Sequence, residues 1–335
     1  MVGIKPTVGL TSRAGVIPQS LSQDTVGSFG KTVRDATYAL DAIYGIDQRD
    51  NFTLEQHGNT PPGGYAQYLH NKTALQGAVF GLPWKSFWGL GDPTLNVQLV
   101  ELLELIQTAG ATIVNETEIP HYRTIVPPEG WDWDYGSKRG RPNESEYSYI
   151  KVDFYNNIKS YLAELENASM RSLEDIMEYN FRNSGSEGGY PNIHPAFASG
   201  QDRFKASLSS EGIKDEAYWQ ALAYCQRSTR EEGIDTALRY GGRVLDGLLV
   251  PSYVAQGIQV AAQAGYPVIT LPAGANRVSG VPYGLSLVHS SYAEPTLIKY
   301  ASAIEDLQRT TATRWKRTLP EWRDYLARNI PVLEP

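Results

Sequence analysis

Apolar residues fall at helical spacing in some stretches and in short unbroken runs in others, and the two patterns alternate along the chain. Val33, Ala36, Leu40 and Ile43 share one face of a predicted helix, because residues three and four apart stack on the same side. Thr32 precedes that face with Asp35 three residues on, an acidic form of the capping box, and Gly45 follows as a stop signal. The polar, turn-rich passage from Asp47 to Tyr65 reads as surface connection. Ala78 to Leu82 is a short apolar run closed by Pro83, the pattern of a buried strand. The clearest helix follows, with Asp92 as N-cap, Pro93 at the first helical position, and Leu95, Leu99, Leu102, Leu103 and Ile106 as its stripe. Gly110 ends it, and Ala111 to Val114 returns as a strand. Strand, helix and strand in succession predict a βαβ unit with a parallel pair and a right-handed crossover.

Further on, Ile150, Phe154, Ile158, Tyr161, Leu162 and Leu165 mark a helix. Ser172 and Asp175 cap another, and Tyr218, Leu222 and Cys225 define one face of a third. Asn183 to Pro195 reads as loop. From His121 to Tyr149, Pro127, Pro128, Trp131, Trp133, Tyr135, Tyr147 and Tyr149 are interleaved with acids and glycines. That passage reads as a long surface excursion anchored by its aromatics, with an aromatic-lined lid as the functional alternative. The C-terminal third predicts strands at Leu248–Val250, Val268–Leu271 and Tyr283–His289, with a helical turn or two at Ile258–Ala264. A last helix near Pro295 faces Leu297, Tyr300, Ala301, Ile304 and Leu307 inward, and the tail over residues 310–335, with Trp315, Trp322 and Tyr325, reads as a strap across the body. The opening, Val2 to Gly27, has no periodic apolar face. Rich in Gly, Pro and hydroxyl residues, it reads as a loop shaped around something rather than as core. The expectation is an α/β chain forming a single domain over residues 1–335.

Composition narrows the function. With 41% apolar and 20% charged residues over 335 positions, the chain is globular in type and long enough to bury a sizeable core. A net charge of −7 argues against nucleic acid as a partner. The nearest basic cluster, Lys138, Arg139 and Arg141, is broken by Gly140 and Pro142 and reads as a solvated loop. No apolar run approaches the ~20 residues that span a bilayer, so no membrane association is expected, and no signal-peptide pattern opens the chain. Cys225 stands alone, which favours a reducing compartment and a cytoplasmic location. The N-x-[ST] sequons at Asn51, Asn71, Asn115, Asn143 and Asn167 leave secretion open.

Motif chemistry is sparse. His57, His70, His121, His194 and His289 show no metal-ligand spacing, so no metal is expected. No phosphate-cradling P-loop, dinucleotide fingerprint or G-x-S-x-G elbow occurs, so no cofactor is expected either. Gly185-Ser186-Glu187-Gly188-Gly189 is the nearest glycine–serine loop, and it joins two helical regions away from the predicted strand ends.

An ordered set of short motifs carries more. Gly3-Ile4-Lys5-Pro6-Thr7, Thr11 to Pro18, Gln23 to Gly27 and Thr32 to Ala36 are followed by Gly81-Leu82-Pro83, Asp246 to Pro251, Ala264 to Gly274 and Gly280 to Leu285. In this order they resemble the amidase signature family across essentially the whole chain, and the final helix with Glu294 and Leu297, together with Arg317 to Pro331, is similar to the long amidases common in fungi. The resemblance implies a three-layer α/β/α sandwich around a large mixed sheet. It also implies hydrolysis of small carboxylic amides by a serine nucleophile, a second serine on a cis peptide, and a lysine whose pKa burial lowers enough to make it a base. Residues 1–27 correspond to the closing part of the signature, and in the family's order the three catalytic residues precede Gly3.

Two look-alikes are set aside. Lys5 belongs to the Gly-x-Lys-Pro-Thr motif that follows the nucleophile. Asp24-Thr25-Val26-Gly27-Ser28 imitates the nucleophile run but lies directly before the Thr32–Ala36 motif, so Ser28 reads as a loop residue. No catalytic residue is carried over. The expectation is an incomplete and inactive amidase, with a non-enzymatic descendant that binds a small amide or a partner protein as the alternative. Arg13 and Asp24 are the charged residues expected to support the pocket, against a structural ion pair or loop-pinning hydrogen bonds as the plainer reading. Oligomeric state is left open, a homodimer included.

Overall fold

The structure is a computed structural model, and it describes residues 1–276 and 280–311. Its strands are β1 (Val2–Lys5), β2 (Ser28–Gly30), β3 (Val79–Leu82), β4 (Thr112–Asn115), β5 (Arg239–Tyr240), β6 (Arg243–Val244), β7 (Leu248–Pro251), β8 (Val268–Ala275) and β9 (Pro282–Val288). Seven of them form one sheet in the order β2-β1-β8-β9-β7-β3-β4, and β5 and β6 make a separate hairpin. β3 pairs in parallel with β4 and with β7, while the other pairs of the large sheet are antiparallel, so the sheet is mixed.

Alternation along the strands assigns each face its own core. Leu249, Ile269, Leu271, Leu285, Leu287, Phe80 and Leu82 point to one side. There they meet the apolar stripes of helices Val33–Ile43, Pro93–Thr108 and Glu294–Thr310. Leu248, Val250, Val268 and Val288 point to the other side, against Val260, Ala261 and Ala264 of helix Ala255–Ala264. That helix also packs on Glu216–Thr229. Outward of it, helices Glu146–Glu164, Leu173–Arg182 and Glu216–Thr229 bury Tyr149, Ile150, Ile158, Leu173, Tyr218 and Cys225 in two smaller clusters. The layers are helix, sheet and helix, as the motif order implied.

Local signals act as their chemistry dictates. Thr32 accepts from the Asp35 amide while the Asp35 carboxylate accepts from the Thr32 amide, a complete capping box. Ser172 and Asp175 form a second one. Asp92 caps Pro93–Thr108 through the Thr94 amide, and the parallel register of Phe80 with Ile113 completes the predicted strand–helix–strand unit.

The opening stretch is where the structure departs most from the pattern. Val2 and Ile4 are 0% and 2% exposed, and β1 lies between β2 and β8 inside the sheet. The run builds core after all. A strand of only four residues shows two apolar positions, and Gly3 and Lys5 between them mask the alternation. Ser28 is likewise in a strand rather than a loop. In the Asp47–Tyr65 passage, a 3-10 turn at Asn51–Gln56 buries Thr53 and Gln56. The Gln56 amide donates to the carbonyls of Gly9 and Gly45, so the passage supports the opening loop from beneath. A helical turn at Ser184–Glu187 stands within the expected loop. β8 runs past Leu271 to Ala275 because a register shift between Pro272 and Gly274 absorbs the proline. The predicted strap, apart from its first two residues, lies outside the described residues.

Candidate functional site

The loop that follows β1 is fastened at both ends and in the middle, each time by a buried polar group. At its start, the Lys5 ammonium donates to the carbonyls of Tyr266 (2.8 Å) and Pro6 (3.3 Å). Burial pushes its pKa down to about 8, against the opposing charge of Glu294. The Thr7 amide donates to Glu294 Oε1 at 2.6 Å, and the Thr7 hydroxyl accepts from the Tyr292 amide at 2.8 Å. Glu294 is fully buried at the first turn of the last helix, and burial raises its pKa while the Thr7 bonds lower it. Tyr292 is held with φ at 57°, an uncommon angle for a residue with a side chain.

Lys5 yields a pH prediction. Its folded pKa lies below the ordinary 10.5, so the unfolded chain holds more protons from about pH 8 upward and stability rises with pH there. The burial cost is fully present below pH 8 and is relieved as the folded ammonium deprotonates. Relative to Lys5→Met, the wild-type chain is expected to gain about 2 kcal/mol between pH 7 and 10. Urea midpoints of the two proteins across that range check it, and parallel curves would refute it.

In the middle of the loop, Arg13 is buried and engaged in a two-pronged pair with Asp50: Nε to Oδ2 at 2.7 Å and Nη2 to Oδ1 at 2.6 Å. Its remaining nitrogen, Nη1, donates to the carbonyls of Leu21 and Asp24. The Phe52 ring lies beneath the guanidinium, 4.5 Å away. Asp24 accepts from the Gln19 amide at 2.7 Å. Burial raises its pKa, opposed by hydrogen bonds from Gln19 and Ser20. Arg13 and Asp24 are thus brought into one loop, but the guanidinium meets the Asp24 carbonyl and reserves its charge for Asp50.

At the far end, Ser20 Oγ donates to Asp153 Oδ2 at 2.6 Å, and the Tyr218 hydroxyl donates to Oδ1 of the same carboxylate at 2.8 Å. Gln23 donates to the hydroxyl of the fully buried Tyr149. The end of the aromatic passage is therefore an internal anchor for the loop. Trp131, 40% exposed, and Trp133 beside it stay nearer the surface. Asp50, Asp153 and Gln56 hold the loop without having been singled out in the sequence. The available signal was an acid directly before a short apolar turn for Asp50, and an acid on a helix's inward face for Asp153.

The look-alike residues are accounted for by contacts. Ser28 is buried and its hydroxyl donates to the Ala36 carbonyl at 2.8 Å, while Lys5 is held by backbone. His289 lies between the Leu245 carbonyl and the Ser290 hydroxyl. Among the described residues, no cluster of histidine, cysteine and carboxylate side chains is placed to hold a metal ion. No helix among them is long and apolar enough to cross a membrane.

A mixed sheet layered with helices, its opening strand continuing into a multiply anchored loop, defines an α/β protein with helices on both faces of the sheet. The Amidase family model matches residues 1–183, and the chain belongs to the amidase family. It is 50% identical to a Schizosaccharomyces pombe protein described as a putative amidase, covering 99% of this chain and 56% of that protein. An Arabidopsis thaliana protein described as a probable amidase is 32% identical, with 91% of this chain and 52% of that protein covered. Among solved structures, the native peptide amidase from Stenotrophomonas maltophilia superposes with a TM-score of 0.73 at 29% identity, over 95% of this chain and 59% of that one. The chain spans about half the length of the curated relatives it matches.

Proposed function

We propose that this chain forms part of a serine-dependent amidase that hydrolyses the C–N bond of small carboxylic amides. In this reading residues 1–335 fold as one domain and supply the sheet and the wall of the substrate pocket. The serine nucleophile, the relay serine and the lysine base are not among them. The observation that carries the reading is the fate of the two residues resembling catalytic ones. Lys5 is clamped by the Tyr266 and Pro6 carbonyls and Ser28 by the Ala36 carbonyl, so each works as part of the sheet. Arg13 and Asp24 support the pocket indirectly, by fixing the course of the loop from Arg13 to Asp24. A single buried thiol, Cys225, fits the reducing cytoplasm.

Two measurements test this. The purified 335-residue chain is expected to take no label from a fluorophosphonate serine probe and to leave simple primary amides intact. Stoichiometric labelling would overturn the assignment, because it would require a nucleophile within these residues. Reading the coding DNA and transcript around the first codon tests the other half. An in-frame upstream segment with a glycine–serine loop and a lysine supports the proposal, and a genuine promoter with stop codons there rejects it.

A further inference from the structure

Helix Ala255–Ala264 turns three glutamines inward: Gln256, Gln259 and Gln263, at 4%, 0% and 2% exposure. Spacings of three and four place them on one face. The Gln256 amide donates to the carbonyls of Pro127 (3.1 Å) and Pro128 (2.9 Å). The amides of Gln259 and Gln263 converge on one carboxylate oxygen, Oε2 of Glu146, at 3.0 and 2.8 Å. Gln259 also reaches the Asp132 carbonyl at 3.3 Å. Glu146 is itself only 3% exposed.

This arrangement consumes donors and leaves acceptors. The Oε1 atoms of Glu146, Gln259 and Gln263 are buried, and none has a hydrogen-bond partner among the described residues. The same three side chains line a cavity of about 10 Å3, walled also by Asp132, Glu144 and Cys225. That is room for one water-sized occupant.

The occupant's chemistry follows from donors and charge. A water molecule brings two hydrogens to three waiting oxygens and leaves one unsatisfied. It also brings no positive charge to Glu146, which meets only neutral donors (Gln259, Gln263, Gln23 and Trp131), since the basic side chains of the adjoining segment pair elsewhere: Lys138 with Asp132, and Arg139 and Arg141 with Glu144. A buried carboxylate without a counter-charge is costly. A compact monovalent cation satisfies both demands, as ammonium with four N–H donors or as potassium with oxygen ligands. We propose that the cavity bounded by Glu146, Gln259 and Gln263 binds an ammonium-sized monovalent cation. The bound ion ties the start of helix Glu146–Glu164, and with it the aromatic passage, to the helix beneath the sheet. Glu146 could shed its charge by holding a proton instead, and the two cases differ in their response to salt.

Thermal unfolding of the full 335-residue chain separates them at constant ionic strength, in chlorides of potassium, ammonium and the bulky cation N-methylglucamine. The midpoint is expected to rise saturably by about 2–5 °C with potassium or ammonium over N-methylglucamine, and Glu146→Gln to abolish the rise. The salt giving the larger shift names the occupant. Equal midpoints in all three salts, or a rise that survives in Glu146→Gln, would overturn the proposal. If that variant does not fold, a rubidium-soaked crystal of the wild-type chain decides. An anomalous peak between the three oxygens supports the site, and its absence rejects it.

Discussion

Asp50→Ala is expected to destabilise the chain by about 3–5 kcal/mol, because it strands a buried guanidinium. The side chains of Arg13 and Asp50 are 3% and 7% exposed, so water cannot replace the lost partner. Asp50 does more than balance charge. Its carboxylate also accepts from the Arg13 amide at 3.0 Å and from the Phe52 amide at 3.2 Å, capping the turn at Asn51–Gln56. Losing it leaves two backbone donors and the two-pronged pair without an acceptor. Arg13→Lys is expected to recover only part of the loss in the reverse test, since an ammonium cannot present the planar fork.

The acid dependence has a definite sign. Burial alone would raise the Asp50 pKa, but hydrogen bonds and charge from Arg13 outweigh it and hold the pKa below the ordinary 3.8. Its stabilisation is therefore present above pH 3.8 and lost as pH falls through the lower folded value. Urea unfolding should show the gap between wild type and Asp50→Ala at full size near pH 7 and narrowing below pH 4. A gap under about 1 kcal/mol at neutral pH would refute a structural role for the pair.

What was legible in the sequence divides along physical lines. Elements whose signals are local were readable from spacing. Thr32 with Asp35, Ser172 with Asp175 and Asp92 before Pro93 each satisfy helix-end amides within a few residues, so pattern and cause lie together. The short strands β1 and β2 were not readable, because what makes Val2–Lys5 a strand is its pairing with β8, more than 260 positions away in the chain (Gly3 opposite Thr270). Resemblance to a family placed the right motifs in the right order, and the mixed sheet it implied is observed. Partners were the hardest to see. Arg13 stood out as a charge in a loop, but neither composition nor spacing distinguishes Asp50 from Asp24 as its counter-ion. Only burial and the direction of the side chains do. Gln259 and Gln263 show the same limit, since an inward glutamine on a predicted helix looks like a surface residue until Glu146 is brought beside it.

Trp88→Ala is expected to cost about 3–5 kcal/mol, the range for emptying a buried aromatic site. Pro83 stops β3 from continuing, and the chain turns through Trp88–Leu90 before entering helix Pro93–Thr108. Trp88 is fully buried at that turn. Its indole nitrogen donates to the Leu249 carbonyl of β7 at 2.9 Å, and its own carbonyl accepts from Asn96 at 2.7 Å. The Trp88 side chain therefore fastens the crossover to a neighbouring strand, while its backbone carbonyl ties it to the helix it leads into. Trp88→Phe separates the two contributions, keeping most of the volume and losing the indole hydrogen bond, for a cost of about 1 kcal/mol from the bond plus whatever space the smaller ring leaves. Circular dichroism is the suitable probe, because indole fluorescence changes with the substitution itself. Equal losses for alanine and phenylalanine would mean that the hydrogen bond to β7 positions the crossover. A much smaller loss for phenylalanine assigns that task to packing, as expected for a ring buried in the core that also holds Leu82, Leu95 and Leu99.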